Sequence, residues 1–448
     1  MKAPLPTARP APDPGTRFSK GGLRVMGLRG TGLALAFGLN ILLARLLGLP
    51  RYGEYVFLTV LAAFVAVPAR AGLDVAVMRF LPEYRSAGTG RLARRLLIRA
   101  NGLVGSLGLA IALLTLAALA LLSPHRAMAE SLAWLLALVP LTALSSLNQG
   151  ILQGLGQPAR ALWAEYLVRP LAAAAVLLVL LDTTHRVSLT VSQGLSAITL
   201  GVGCGVLVQW LLIRRAAAGL PEEPGEPATP WRIWLGVAGP LLGMGFLNMV
   251  STRSDLLLLG ILGNRSSEGY YQPAVRLAGF VSFGLTALNG VVAPLIAELY
   301  AQKRLPELRQ VVNRTIRWGS AFGLVVALIF GLDGRFVLHL FGPGFAAGER
   351  PLLVLLAGQI INVSVGPVGY FLAMTGSHQA AFWILLTGAF FEVATALLAI
   401  PLWGALGAAV AASLALAGWN LAMVGYLRHR HGFWILPFYG IPRSPHAA

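Results

Sequence analysis

The segment LARLLGLPRYGEY, Leu43 to Tyr55, separates two long apolar runs and contains two arginines, a glutamate, two tyrosines, a proline and two glycines. At ~1.5 Å rise per residue, a helical run of about 20 apolar residues crosses the ~30 Å hydrocarbon core of a bilayer. Charged and turn-forming residues between two such runs indicate a short connection at the membrane surface. The segment therefore predicts the first turn of a chain that crosses a membrane more than once.

The composition agrees with a membrane-embedded chain. Of its 448 residues, 56% are hydrophobic and 12% are charged, which is about half of the ~25% charged residues of a soluble domain. Twelve apolar runs follow one another, and the second (54–80) and the eighth (270–299) are long enough to tilt or to project from the bilayer. The predicted fold is an all-α polytopic membrane protein with about twelve transmembrane helices.

The distribution of positive charge predicts the orientation. The net charge of +18 arises from 35 Lys and Arg against 17 Asp and Glu, and alternating loops place 23 of these cations on one face and six on the other. Cations concentrate in cytoplasmic loops, so we expect both termini in the cytoplasm. This bias accounts for most of the basic balance, and no nucleic-acid partner is needed.

An internal repeat explains why the opening segment has a second copy, LLLGILGNRSSEGYY, at 257–271. Gly53 and Tyr55 match Gly269 and Tyr271 at an offset of 216. Because each copy has an even number of spans, both enter the membrane from the same side, and the pseudo-two-fold axis lies along the membrane normal. We expect two six-helix bundles that face each other across a central cleft.

Proline, glycine and charge mark the borders of these bundles. The predicted regions are a disordered cytoplasmic tail at 1–22, an N-terminal six-helix bundle at 23–213, a cytoplasmic linker at 214–231, a C-terminal six-helix bundle at 232–430, and a cytoplasmic tail, either interfacial or loose, at 431–448.

Four stretches resemble the polysaccharide (O-antigen-type) flippases of the multidrug/oligosaccharidyl-lipid/polysaccharide exporter superfamily. They are ARLLGLPRYGEY, GLDVAVMRFLPEY (Gly72 to Tyr84), SDLLLLGILG followed by EGYY, and LFGPGFAAGERPLLVLL (Leu340 to Leu356). The resemblance covers the chain from about Leu23 to Arg430. It implies a multi-pass protein of the bacterial inner membrane that moves undecaprenyl-pyrophosphate-linked oligosaccharides by alternating access, with polysaccharide polymerase or assembly proteins as partners.

Arginines inside the spans are the first candidates for a phosphate site. A guanidinium group donates two parallel hydrogen bonds to a phosphate, and an arginine at mid-membrane costs roughly 2.5–3.5 kcal/mol on insertion scales. We therefore expect Arg45, Arg70 and Arg276 to bind substrate. The alternatives are snorkelling of Arg45 and Arg276 to the surface, and a neutralising pair between Arg70 and Asp74 that fixes packing.

Polar residues on helix faces are candidates for binding sugar. Asn248 and Thr252 form a stripe with Asp255 at i, i+4 and i+7, and this stripe predicts that Arg253 points elsewhere. Gln149 and Gln153 share a face of the fourth span. Polar stripes also join helices to one another, so the sequence leaves packing and cleft lining open.

Carboxylates inside the spans are candidates for coupling transport to an ion. Buried acids are common sites of proton or ion binding in transporters. The ion-coupling candidates are Asp74, Asp255, Glu165 and Glu392. Glu165 also pairs with Arg169 at i, i+4, and Glu392, alone on its span, has the alternative role of a hydrogen-bonded structural acid.

Several functional classes are excluded or made less favourable. Cys204 is the single cysteine, so an intrachain disulfide or a cysteine metal cluster is excluded, and the histidines lack metal-ligand spacing. No GxxxxGK[ST] loop is present to bind ATP, and the predicted external loops are too short for a catalytic domain. We expect no metal, no cofactor and no enzymatic activity. Two alternatives remain: a multidrug/cation antiporter of the same superfamily, and a non-transporting scaffold for polysaccharide assembly.

Overall fold

The computed structural model describes residues 20–122, 129–184, 188–219 and 231–431. Within these ranges all regular structure is helical, as predicted. Residues 1–19 of the predicted tail, 220–230 of the linker and 432–448 at the carboxyl end lie outside the described residues. The ends of the molecule predicted to face the cytoplasm and the exterior are called here the inner and outer ends.

The described residues of the first half form nine α-helices and one π-helical turn. They are α1 (Lys20–Leu47), α2 (Leu49–Ala69), α3 (Leu73–Ser86), α4 (Gly90–Leu122), α5 (Ala129–Ala133), α6 (Leu135–Gly154), α7 (Pro158–Trp163), the π-helical turn Ala164–Val168, α8 (Arg169–Thr184) and α9 (Val191–Ala218).

In the second half, residues 231–431 form seven α-helices and one 3₁₀ segment. They are α10 (Trp231–Leu262), α11 (Arg265–Ala301), α12 (Leu305–His339), the 3₁₀ segment Pro343–Gly348, α13 (Glu349–Val365), α14 (Val368–Met374), α15 (His378–Trp403) and α16 (Ala405–His431).

Eleven helical stretches of the described residues are long and apolar enough to cross a membrane. The predicted eighth span falls on α11, which is not among the eleven, so the count of twelve stays a prediction. Within the first half α6 packs on α3, α4 and α9, and within the second half α16 packs on α13 and α15. The halves meet where α2 contacts α10 and α11 and where α3 contacts α10.

The second predicted span, 54–80, is wrong as a single helix. The structure ends α2 at Ala69 and begins α3 at Leu73, with Ala71 at φ 50° and Gly72 at φ 69° between them. A left-handed conformation interrupts an α-helix, and glycine adopts it without steric cost. A Cβ on Gly72 would overlap the backbone carbonyl of Ala238 on α10, so the turn also permits close approach of the two halves.

Two tyrosines make similar bonds in the two halves. The hydroxyl of Tyr52 on α2 donates to Oδ1 of Asn40 on α1 at 3.1 Å, and that of Tyr271 on α11 donates to Oδ2 of Asp255 on α10 at 2.8 Å. Each bond ties the second long helix of a half to the first. All four residues are buried.

Candidate functional site

A cavity of about 400 Å³ lies between the halves. Its wall combines α1, α2, α6 and the α7–α8 region of the first half with α10 and α11 of the second. Apolar side chains form part of it. The polar and charged side chains that line it are Asn40, Tyr55, Thr59, Thr142, Glu165, Tyr166, Arg169, Arg253, Gln272 and Arg276.

Three arginines meet at this cavity. Arg169 comes from the first half, and Arg253 and Arg276 come from α10 and α11 of the second. All three are half-buried, and Nε of Arg276 is buried without a hydrogen-bond partner among the described residues. Because Glu165 is the one carboxylate among the described residues that line the wall, the cavity carries net positive charge and suits an anion.

Glu165 holds Arg169 in place through a small network. Its Oε1 accepts a hydrogen bond from Nη1 of Arg169 at 2.7 Å, and its Oε2 accepts from Nε2 of Gln149 at 3.1 Å and Oγ of Ser145 at 3.3 Å. Glu165 lies in the π-helical turn, a geometry common at functional sites because it adds a residue to the helical turn. The carboxylate of Glu165, four residues earlier in the chain, therefore fixes the orientation of the Arg169 guanidinium group.

Uncharged polar groups in the wall can form hydrogen bonds with hydroxyl groups. The buried Gln272 has an Oε1 atom without a partner among the described residues. Tyr55, Thr59 and Thr142 add an aromatic ring and two hydroxyl groups. A ring face, amide and hydroxyl groups beside a cationic region form a surface to which both a sugar and a phosphate can bind.

The structure places some of the sequence-predicted residues at this cavity. Arg276 and Glu165 line it, and Gln149 supports it through Glu165. The prediction that Arg253 points away from the site is wrong, because Arg253 lines the cavity. Arg169 was predicted only as a partner of Glu165, although the i, i+4 spacing of a carboxylate and an arginine was the signal that could have identified it.

Other predicted residues lie elsewhere. Asn248 and Thr252 are exposed on α10, and Thr252 Oγ1 donates to the carbonyl of Asn248 at 2.8 Å. Asp255 is turned into the second half, so the three do not form one stripe. Gln153 is half-buried near the inner end of α6 and is not among the residues that line the cavity.

Two predicted arginines are engaged outside the cavity. Arg70 and Asp74 form a half-buried ion pair of 3.2 Å at the break between α2 and α3. Arg45 donates from Nε to the carbonyl of Leu340 at 2.6 Å. This bond joins α1 to the second half in a separate outer hollow that also includes His339.

A buried acidic cluster lies behind the cavity wall in the second half. Asp255 accepts from the Tyr271 hydroxyl and from the backbone N–H of Leu256 at 2.7 Å. Glu392 on α15 accepts from Oγ of Ser254 at 2.8 Å, while its other carboxyl oxygen is buried without a partner among the described residues. Ser254, the partner of Glu392, directly precedes Asp255 on α10, so one short segment of this helix links the two acids.

The outer end of the cleft is closed by direct contact between the halves. Gly53 on α2 packs against the backbone of α11, and the ring of Tyr52 lies 5.6 Å from that of Phe345. Phe37 on α1 makes edge contacts with Phe280 and with Phe341 at 5.5 Å. The cavity therefore lies on the inner side of a packed outer seal.

Comparison with solved structures shows which known fold the chain shares. An inward-facing multidrug resistance MATE family transporter of the MOP superfamily gives a TM-score of 0.74 at 15% identity over 92% of this chain and 98% of its own. An outward-facing MATE family transporter of the same superfamily gives 0.62 at 14% identity over 92% and 96%. The lipid II flippase MurJ, in an inward closed conformation, gives 0.67 at 12% identity over 91% and 87%.

Sequence comparison gives the family. No curated protein matches the chain. The model of the family described as polysaccharide biosynthesis protein matches residues 20–300, more than half of the sequence. The chain thus belongs to this polysaccharide biosynthesis protein family, and it has the fold of the MOP superfamily transporters.

Proposed function

We propose that this protein is a flippase that carries undecaprenyl-pyrophosphate-linked oligosaccharide repeat units across the bacterial inner membrane, by alternating access, for polysaccharide export. The observation that carries the proposal is the convergence of Arg169, Arg253 and Arg276 on one cavity between the two halves. Membership of a polysaccharide biosynthesis family supports a glycan cargo. The fold supports movement of that cargo across a membrane.

The cost of placing arginines in a membrane gives the physical argument. Each guanidinium costs roughly 2.5–3.5 kcal/mol at the centre of a span, and one ion pair, Arg169 with Glu165, offsets part of this cost. A pyrophosphate carries two adjacent phosphate groups, which three planar guanidinium forks can bind together. The unpartnered Nε of Arg276 is then a donor that the cargo satisfies.

Alternating access needs a closure that can form and break. In the proposal the outer contacts between α2 and α11 separate, while contacts form around the inner half of the cleft. The cavity residues belong to both halves, so relative motion of the halves changes the spacing between Arg169 and the pair Arg253 and Arg276. Such a change weakens a phosphate site on one side and permits release.

The acidic cluster is the proposed site of ion coupling. Asp255 follows Arg253 by two residues on α10, and Glu392 accepts a hydrogen bond from Ser254, which lies between them in the chain. Binding of H⁺ or Na⁺ there can therefore alter α10 and the cavity together. Asp74 and Glu165 are each paired with an arginine. In the proposal these two acids take part only when their ion pairs open.

The direct experiment measures translocation of a fluorescent undecaprenyl-pyrophosphate oligosaccharide in proteoliposomes. Arg169→Gln, Arg253→Gln and Arg276→Gln are each expected to lower the initial rate about tenfold or more, since one charge-assisted hydrogen bond contributes roughly 1.5–3 kcal/mol. Arg335→Gln, an exposed position near the outer end of α12, is the matched control. Thermal unfolding of each variant establishes that it is folded.

A multidrug/cation antiporter is the second candidate, because a buried acidic cluster beside the cleft can attract a cationic drug. Proton-driven efflux of a cationic dye without lipid translocation would favour this function. Absence of lipid translocation by the unmodified protein would instead favour a scaffold for polymerase or assembly partners, whereas full lipid translocation by all three arginine variants would remove these arginines from the proposed cargo site. Loss of translocation only in the cavity variants supports the proposal.

A further inference from the structure

The inner part of α12 presents an uncommitted basic face. Gln310, Arg314, Arg317 and Ala321 follow one another at i, i+4, i+7 and i+11, so they share one side of the helix. Together with Asn313 and Trp318 they line an open groove of about 550 Å³. No residue of this groove lines the cavity between the halves, so the groove is a separate feature.

The two arginines in the groove have free donors. Neither Arg314 nor Arg317 makes a hydrogen bond, an ion pair or a ring contact with another described residue. Other arginines of the inner end are engaged: Arg85 donates to the carbonyl of Leu155 at 2.8 Å, and Arg304 pairs with Glu307. Two neighbouring guanidinium groups without an acid attract an anion from solution or from the membrane surface.

The depth of the groove relative to the bilayer indicates which kind of anion can reach it. The same helical side continues through Leu324, Leu328 and Leu332, which are 49%, 53% and 87% exposed. Large apolar side chains at this exposure on a membrane protein face the acyl chains. Arg317 lies 15 residues before Leu332, or about 22 Å along the helix, so it lies near one surface of the ~30 Å hydrocarbon core.

Trp318 supports the same level. It is 66% exposed and lies beside Arg317, at the boundary between the basic face and the apolar stripe. Tryptophan concentrates at the membrane interface, where its ring contacts lipid and its N–H reaches headgroups. Gln310 and Asn313 precede the arginines on α12 and add uncharged hydrogen-bond donors nearer the inner end.

We propose that this groove binds the phosphate headgroup of an anionic phospholipid of the inner leaflet. Arg314 and Arg317 donate to the phosphate oxygens, Trp318 packs beside the glycerol region, and the acyl chains lie along the apolar stripe of α12. A phospholipid, and not a soluble phosphate, is the occupant because the basic face and the acyl-chain surface are continuous on one side of one helix. The inference does not depend on which cargo the cavity carries.

The test uses the full chain and measures retained lipid by native mass spectrometry after addition of phosphatidylglycerol or phosphatidylcholine. The unmodified protein is expected to retain phosphatidylglycerol in preference. The double variant Arg314→Gln/Arg317→Gln is expected to weaken this retention by roughly tenfold or more, because each arginine near an anionic surface contributes severalfold to binding. The double variant Arg215→Gln/Arg430→Gln removes two exposed charges from the same end of the molecule and is expected to retain the lipid.

A second measurement needs no arginine variant. Phosphatidylglycerol with brominated acyl chains is expected to quench the fluorescence of Trp318 more than brominated phosphatidylcholine does, with Trp318→Phe identifying the contribution of this residue. Equal quenching by both lipids, equal retention by both double variants, or displacement of the lipid by millimolar inorganic phosphate would each overturn the proposal. The last result would show a site for free phosphate.

Discussion

Gly53 and Gly269, the residues matched by the internal repeat, pack against each other where α2 crosses α11. A Cβ built on Gly53 would lie 3.0 Å from the backbone nitrogen of Gly269, and one built on Gly269 would lie 3.3 Å from that of Gly53. Positions related by a pseudo-two-fold axis meet each other only close to that axis. The pseudo-two-fold axis of the repeat therefore passes through the outer seal, close to the contact between these two glycines.

Replacement of Gly53 by alanine should open this seal. A Cβ at this position would overlap the carbonyl of Arg265, so α2 and α11 must move apart. Elsewhere in a helix the same change stabilises by roughly 0.5–1 kcal/mol. Gly105→Ala on α4, where nothing lies within 4 Å of an added Cβ, is the matched control and should raise the unfolding temperature slightly, whereas Gly53→Ala should lower it.

The opening can be measured chemically. In a Cys204→Ala background, Ser267→Cys introduces a thiol at a residue that is 6% exposed near the outer seal. A hydrophilic maleimide should label this thiol several times faster when Gly53→Ala is present than when Gly105→Ala is present. Equal labelling rates would show that the contact does not hold the outer end closed.

The inner end has its own link between the halves. Nε1 of Trp234 on α10 donates to the hydroxyl of Tyr84 on α3 at 2.8 Å, and both residues are buried. Tyr84→Phe leaves the indole N–H buried without an acceptor, which costs roughly 1–3 kcal/mol. Trp234→Phe removes the donor together with part of a packed ring. If the bond carries the coupling, the double variant loses less stability than the sum of the two single variants. Chemical unfolding of the four proteins in detergent measures this difference, and strict additivity contradicts it.

The sequence predicted the helical class, the membrane setting and the repeat, because long apolar runs and the charge bias between loops are one-dimensional signals. It did not predict the break after Ala69. Pro68 lies before the break, but the left-handed turn at Gly72 lies against the backbone of Ala238 from the other half. A contact between distant segments leaves little trace in local sequence.

The candidate site was predicted only in part for a related reason. Spacing along a helix shows which residues share a face, but not which way that face turns. Asn248 and Thr252 indicated one side of α10 as cavity lining, whereas the structure turns Arg253 to the cavity and Asp255 into the second half. The rotation of α10 is set by its packing on α2, α3 and α15. The sequence of α10 alone does not show this packing.

The shape of the guanidinium group, as well as its charge, should matter at Arg276. Arg276→Lys retains the positive charge but loses the planar fork that binds two phosphate oxygens at once. We expect Arg276→Gln to lower the rate of lipid translocation about tenfold or more and Arg276→Lys to give an intermediate rate, in line with roughly 1.5–3 kcal/mol for a charge-assisted bond. Initial rates over a range of cargo concentrations separate binding from turnover. A full rate in Arg276→Gln would remove this arginine from the site.

Glu392→Gln tests whether the acidic cluster couples transport to an ion gradient. Glutamine retains the shape of the side chain and the acceptor for Ser254 but carries no ionisable group. If H⁺ or Na⁺ binds at Asp255 and Glu392, the variant should lose stimulation of translocation by an imposed gradient while it retains the rate measured without a gradient. Glu307→Gln replaces an exposed acid at the inner end of α12 and should leave both rates unchanged.

Each gradient, of H⁺ or of Na⁺, is imposed separately across proteoliposomes. The gradient that no longer stimulates translocation by Glu392→Gln identifies the coupling ion. If neither gradient stimulates even the unmodified protein, removal of cargo on the outer side must drive transport, and Glu392 is then a structural acid held by Ser254.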